Sequence, residues 1–111
     1  MSVELEHLLS GATTHLPLAK GVFLRTLQAG TQLGLALHIN REALQARQVQ
    51  RALERRFEQA LVYDGCYVLC NADEALVLWH SLESADKPPE KVLSRLLSLA
   101  GLAALEHVVQ R

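Results

Sequence analysis

Apolar and polar positions along this chain change period several times. Between residues 32 and 39, Leu33, Leu35, Leu37 and Ile39 alternate with Gly34, Ala36 and His38. A period of two is the signature of a strand. Residues 21–28 read as a strand before it, turned back by Ala29, Gly30 and Thr31. The period then lengthens. Over residues 41–61, Ala43, Ala46, Val49, Leu53, Phe57 and Ala60 recur in three- and four-residue steps. That spacing predicts one amphipathic helix with this stripe against the core and Arg47, Arg51, Arg55 and Glu58 in solvent. Asn40 is placed to cap it, Glu42 suits its positive end, and Asp64 with Gly65 stops it. Residues 67–70 and 75–82 are strand-like, and the turn formers between them make a hairpin. Both of its strands are apolar on two faces: Leu76, Leu78 and Leu82 point one way, Val77 and Trp79 the other.

The ends of the chain complete the pattern. Val3, Leu5, Leu8 and Leu9 share one face of a short helix that Ser2 can cap and Gly11 can end. Residues 12–21 contain Pro17 and read as an irregular link with an extended edge around Leu16 and Leu18. A polar break over 84–89 leads into a last helix, 90–110, with Pro89 suited to its first turn. The expected fold is α+β, in the order α-β-β-α-β-β-α: one domain with a twisted antiparallel sheet and helices on one face. Helices on one face leave the second apolar face of the hairpin to be covered from outside. This is the first functional clue.

Composition narrows the function classes. Half of the 111 residues are apolar but only 5% are aromatic, which disfavours an aromatic ligand cage. A net charge of -1 gives no overall attraction to nucleic acid or to an anionic membrane. The acidic start, with Glu4 and Glu6, lacks the basic-then-apolar pattern of a secretory signal. The leucine-rich run 96–105 is shorter than the roughly 20 residues a bilayer span needs. With two cysteines and no disulfide framework, the expectation is a soluble cytoplasmic protein.

Candidate chemistry is sparse. Four residues of strand would hold Cys66 and Cys70 about 13 Å apart, too far for a disulfide or one shared ion. His7, His15, His38, His80 and His107 form no ligand motif, and no nucleophile elbow or phosphate-binding glycine loop is present. The expectation is a protein without cofactor, metal or enzymatic activity. Arg41, Arg47, Arg51, Arg55 and Arg56 are interleaved with Glu42, Glu54 and Glu58 at salt-bridge spacing, so they read as a solvated face. Arg51 and Arg55 remain candidates for docking an acidic partner. Trp79, the only tryptophan, is either core or an interface anchor.

Residues 67–78, a short strand ending at a polar turn and followed by Leu76, Val77 and Leu78, resemble the strand–turn–strand of class I type III secretion chaperones. The order of elements is similar along nearly the whole chain. The resemblance implies a small cytosolic dimer without enzymatic activity that holds an extended segment of a secretion substrate. It makes Leu5, Leu8 and Leu9, with Leu24, Leu35 and Leu37, candidates for client pockets or the core beneath them. It assigns the central helix and the strand bearing Val77 and Trp79 to subunit pairing. Two departures are visible: residues 20–40 have room for two strands where that family has three, and the charge is nearly neutral rather than acidic. They point to a reduced relative. One version is a chaperone subunit, paired with itself or a similar small chaperone and holding a secreted effector or secretion-system protein. The alternative is a regulator that sequesters a transcriptional activator.

Overall fold

In the computed structural model, which describes residues 3–83 and 88–109, the alternating leucines of 32–39 form the middle of a five-stranded antiparallel sheet. The elements are α1 (Val3–Ser10), β1 (Leu16–Ala19), β2 (Val22–Ala29), β3 (Gln32–Ile39), α2 (Gln48–Glu58), β4 (Cys66–Cys70), β5 (Leu76–Ser81), α3 (Pro89–Ala100) and α4 (Glu106–Val109). Single 3-10 turns precede α2 (Arg41–Ala43) and α4 (Ala103–Leu105). In space the strands run β1-β2-β3-β5-β4, so β1 and β4 are the edges. Register places Leu24, Leu37, Leu78 and Val68 in one row across β2, β3, β5 and β4. That face carries the main core, joined by Leu5 and Leu8 of α1, Ala52 of α2 and the buried leucines of α3.

Three expectations change. The sheet has five strands where four were expected, because the link around Pro17 is itself a strand. Leu16 pairs with Leu24 and Pro17 with Phe23. Proline fits there because an edge strand has one side on which no backbone donor is needed. Three strands therefore precede α2, which removes one of the two departures from the chaperone pattern.

The central helix is the second change: it covers 48–58, not 41–61. After the 3-10 turn the chain runs extended at Leu44, which packs on the core, and Arg47 takes a left-handed conformation (φ 63°) before the helix begins. Asn40 precedes the 3-10 turn without making a side-chain cap.

Third, the closing helix is broken at Gly101. This residue is left-handed (φ 76°), and Leu102 N–H reaches back to Leu97 O at 2.8 Å, the Schellman geometry that ends a helix. Pro89 does open α3, and Gly11, also left-handed, follows α1. The Ser2 cap, the break at residues 84–87 and the last two positions lie outside the described residues.

The second face of the sheet closes on itself. Ala36, Val77 and Trp79 form a small separate core with Leu27 packed against it. Trp79 is only 6% exposed, and its Nε1–H donates to Leu27 O at 2.8 Å. Its ring lies over Gly34, where an added Cβ would sit 2.1 Å from Trp79 Cε2. Tyr67 packs at the ring's other side, with centroids 5.8 Å apart. The glycine in β3 is the space the indole needs. Over Val77 and Trp79 the second face is thus covered by its own side chains, not left for an outside cover, while Tyr67 and Leu69 at the β4 edge stay exposed.

Candidate protein-binding edge

The site begins with the direction in which α2 is turned. Its buried residues are Gln48 and Ala52, with Val49, Arg55 and Arg56 half-buried beside them. At 100° per residue, this face is rotated by about a quarter turn from the Val49–Leu53–Phe57 stripe. Hydrogen bonds explain the rotation. The last carbonyls of α3 lack intrahelical partners. Gln48 Nε2 donates to Ala100 O and Arg55 Nη1 to Leu99 O, each at 3.0 Å. On its other flank, Arg56 Nε donates to Cys66 O of β4 at 2.8 Å. The polar side of α2 is therefore its anchoring side. A guanidinium also complements the negative end of α3.

Beyond Val49, which packs on the main core, the apolar stripe is left outside. Leu53 is 50% exposed, Phe57 86%, Leu61 94% and Val62 50%. Single exposed apolar residues are ordinary; four large ones within 53–62 make a concentrated exposed apolar stretch. The segment is held in place: Tyr63 OH is 2.9 Å from Ser98 Oγ, and Arg95 Nη1 donates to Val62 O. Gln59 N–H bonds Arg55 O and Tyr63 N–H bonds Gln59 O, which carries the chain in a tight path to β4. On β4 itself, Tyr67 and Leu69 are exposed on the far side of the sheet. Helix end, connecting turn and edge strand together form an apolar margin on one side of the molecule.

The residues singled out from the sequence fall into three groups. Leu5, Leu8, Leu24, Leu35 and Leu37 are fully buried in the main core, and Leu9 is half-buried against it. Val77 and Trp79 belong to the second core, with no surface to anchor a partner. Arg51 is exposed on α2, while Arg55 is committed to Leu99 O rather than to Glu58. Glu54 accepts from Gln50 Nε2 at 2.9 Å, and Arg41 forms an exposed ion pair with Glu74, at 2.8 Å. Sequence reasoning missed Phe57, Leu61 and Val62 as surface, and Gln48 and Arg56 as anchors. A signal did exist: Gln48 and Arg55, seven residues apart, share a face with Ala52, a small residue that lets a helix approach closely.

On the opposite side of the sheet, Arg25 Nε donates to His38 Nε2 at 3.0 Å, and the ring stacks on Phe23 with centroids 4.9 Å apart. Burial, then the charge of Arg25, then His15 hold the His38 pKa below its ordinary 6.5. Accepting from Arg25 requires an unprotonated Nε2, in agreement with that direction. Cys66 is buried and Cys70 exposed. Among the described residues no three His, Cys, Asp or Glu side chains converge as a metal site, and no helix is long and apolar enough to cross a membrane.

No curated protein and no solved structure matches the chain. A family model does: HrpV-like, over residues 4–105, a span that runs from α1 through the sheet and α3 and includes the whole apolar margin. The chain therefore belongs to the HrpV-like family, and with it to the proteins associated with type III secretion.

Proposed function

We propose that this protein is a non-enzymatic, protein-binding regulator of a type III secretion system. It acts by holding another protein on the margin formed by the end of α2 and β4. The observation that carries this reading is the exposed run of Leu53 and Phe57 on α2 and Leu61 and Val62 in the turn after it, with the polar side of α2 hydrogen-bonded inward. A helix turned this way offers apolar area without unfolding, as a partner surface must. The exposed Arg51 adds a positive charge on the same helix, which favours a partner with acidic residues flanking an apolar patch. Sequestration of a transcriptional activator suits such a surface.

The chaperone reading, in which the held protein is a secretion substrate and the protein pairs with itself or a similar small chaperone, draws support from the sheet. Three strands before α2 and helices on one face agree with the resemblance described above. The buried state of Leu5, Leu8, Leu24, Leu35 and Leu37 moves any client contact away from those leucines and toward the α2 margin.

The test is a paired affinity purification from the native cytoplasm with the wild-type chain and Phe57→Asp, followed by mass spectrometry. A secretion-system protein or activator retained by wild type and lost by Phe57→Asp, with thermal stability unchanged, is the expected result. Retention of the same protein by both would remove the margin from consideration.

A further inference from the structure

We infer that β4 accepts an extended segment of a partner protein as a sixth strand of the sheet. The inference rests on the protein-binding reading above and deepens it.

It starts from the phase of the hydrogen-bond ladder. In an antiparallel pair, bonded and non-bonded residue pairs alternate. Asn71 N–H donates to Ala75 O at 3.1 Å, and this pair continues the β4–β5 register. Stepping back by two along β4, the bonded residues are Leu69 and Tyr67. Cys66 agrees from the other end: its N–H donates to Tyr63 O and its carbonyl accepts from Arg56, so both of its groups face away from β5. Val68 and Cys70 are in the same phase as Cys66, and their N–H and C=O groups also point outward. Those of Cys66 are occupied; those of Val68 and Cys70 meet no partner among the described residues.

The two sheet edges are treated differently. β1 is four residues long and carries Pro17 and an irregularity between Pro17 and Ala19, devices that stop a second strand from adding. β4 reads Cys-Tyr-Val-Leu-Cys, without a charge or a proline. Unpaired backbone groups two residues apart, on an apolar edge, are the template that β-strand addition uses.

The geometry favours a lone strand over a second copy of this chain. Arg56 reaches around the outside of β4 to Cys66 O, so α2 stands at that margin. A symmetric seam would set two β4 strands about 4.8 Å apart. It would also bring up two α2 helices, which need about 8–10 Å between axes. A segment without its own helix avoids that crowding. Its residues would alternate between the layer of α2, with Phe57 and Val62, and the side of Tyr67 and Leu69. The fitting partner is therefore an extended segment apolar on both faces.

The experiment uses the full chain and a displayed library of short linear peptides, with the best binder synthesised as the probe. Cys70→Pro deletes the outward N–H and leaves the Tyr67 and Leu69 bonds to β5 in place; Cys70→Ala deletes only the thiol. The expected result is peptide binding weakened about tenfold or more by Cys70→Pro and unchanged by Cys70→Ala. Bound peptide also slows amide exchange at Val68 and Cys70 of the wild-type chain, a readout that needs no variant. Equal binding by Cys70→Pro, unprotected amides at 68 and 70, or a library that yields no binder would each overturn the proposal. So would a dimer whose protection at 68 and 70 disappears on dilution, since a second copy would then hold the edge. If Phe57→Asp abolishes peptide binding while Cys70→Pro does not, strand addition fails and the protein-binding reading stands. If neither variant weakens binding, both fail.

Discussion

Gly34→Ala is the most informative single change. On backbone grounds it should help: the residue sits inside a strand, its φ is not in the left-handed region, and alanine is worth about 0.5–1 kcal/mol over glycine in regular structure. The structure reverses that sign. A Cβ at this position would lie 2.1 Å from Trp79 Cε2 and 2.2 Å from Nε1, and the contact is with the body of the ring, not a flexible tip. The indole must lift off the sheet. That forfeits part of the burial of a large side chain, about 1.5–3 kcal/mol. It also gives up the bond to Leu27 O, about 1 kcal/mol. Less the backbone gain, the net loss is about 2–3 kcal/mol. At roughly 4 °C per kcal/mol for a domain of this size, the melting temperature falls by about 10 °C. Because Trp79 is the only tryptophan, its emission reports both unfolding in urea and the polarity of its site. The variant should unfold earlier and start from a red-shifted spectrum. A variant as stable as wild type with unshifted emission would refute the claim that the indole seals this face.

Five further outcomes follow from the same structure. Phe57→Ser, at a position 86% exposed, should move stability by no more than about 0.5 kcal/mol in chemical denaturation. Leu97→Ala, in the core, should cost about 2–5 kcal/mol in the same assay. Arg55→Met removes the donor to Leu99 O at the end of α3 and should cost about 1–2 kcal/mol, read as earlier unfolding with faster exchange of the 97–102 amides. A thiol reagent should modify Cys70 at once and Cys66 only on unfolding; equal rates would contradict the burial of Cys66. For His38 the folded pKa lies below 6.5, so the unfolded chain binds the extra proton first as pH falls. Its contribution is complete above that pH and lost as pH drops through the folded value. His38→Gln should flatten this part of the stability–pH curve.

The sheet was largely legible in the sequence, because a period of two survives wherever one face is buried. The alternation from Gln32 to Ile39 gave β3 its full extent, and the turn formers Asn71 to Glu74 marked the hairpin. β1 was harder to see. It is short, it carries a proline, and only its place at an edge makes proline acceptable. The helices were legible as helices but not in orientation. Periodicity finds an apolar stripe and assumes that it faces inward; for α2 the stripe at Leu53 and Phe57 faces out. What decided the matter was the need of the Leu99 and Ala100 carbonyls for donors, a requirement set by an element more than forty residues away. Long-range hydrogen bonds of that kind leave only a faint local mark, here Gln48 and Arg55 on one face with Ala52. The candidate site was missed for the same reason: Trp79 has the composition of an anchor, but a glycine on the neighbouring strand gives it a home inside.

These two apolar surfaces separate packing from function. The face bearing Val77 and Trp79 had every chance to remain open, yet the chain spends a glycine, an indole hydrogen bond and a tilted tyrosine ring on closing it. The stripe on α2 could have been closed more simply, by turning the helix about a quarter turn and capping α3 with other donors. Instead two long polar side chains hold α2 so that Leu53 and Phe57 stay in water. Under the protein-binding reading proposed above, this outward stripe is the surface that an occupant would cover. The unguarded β4 edge lies at the same margin, and Arg56 ties the two together through Cys66 O. A partner that uses both would gain directional backbone bonds from the strand and apolar contact from the helix. Removing either alone should weaken the complex, and removing both should cost more than either single change. Peptide affinities of Phe57→Asp, Cys70→Pro and the double variant form a cycle that measures this directly. Additive losses would mean that the two features act as separate contacts. A coupling of about 0.5 kcal/mol or more would mean that the strand, once seated, positions the partner's apolar residues on α2.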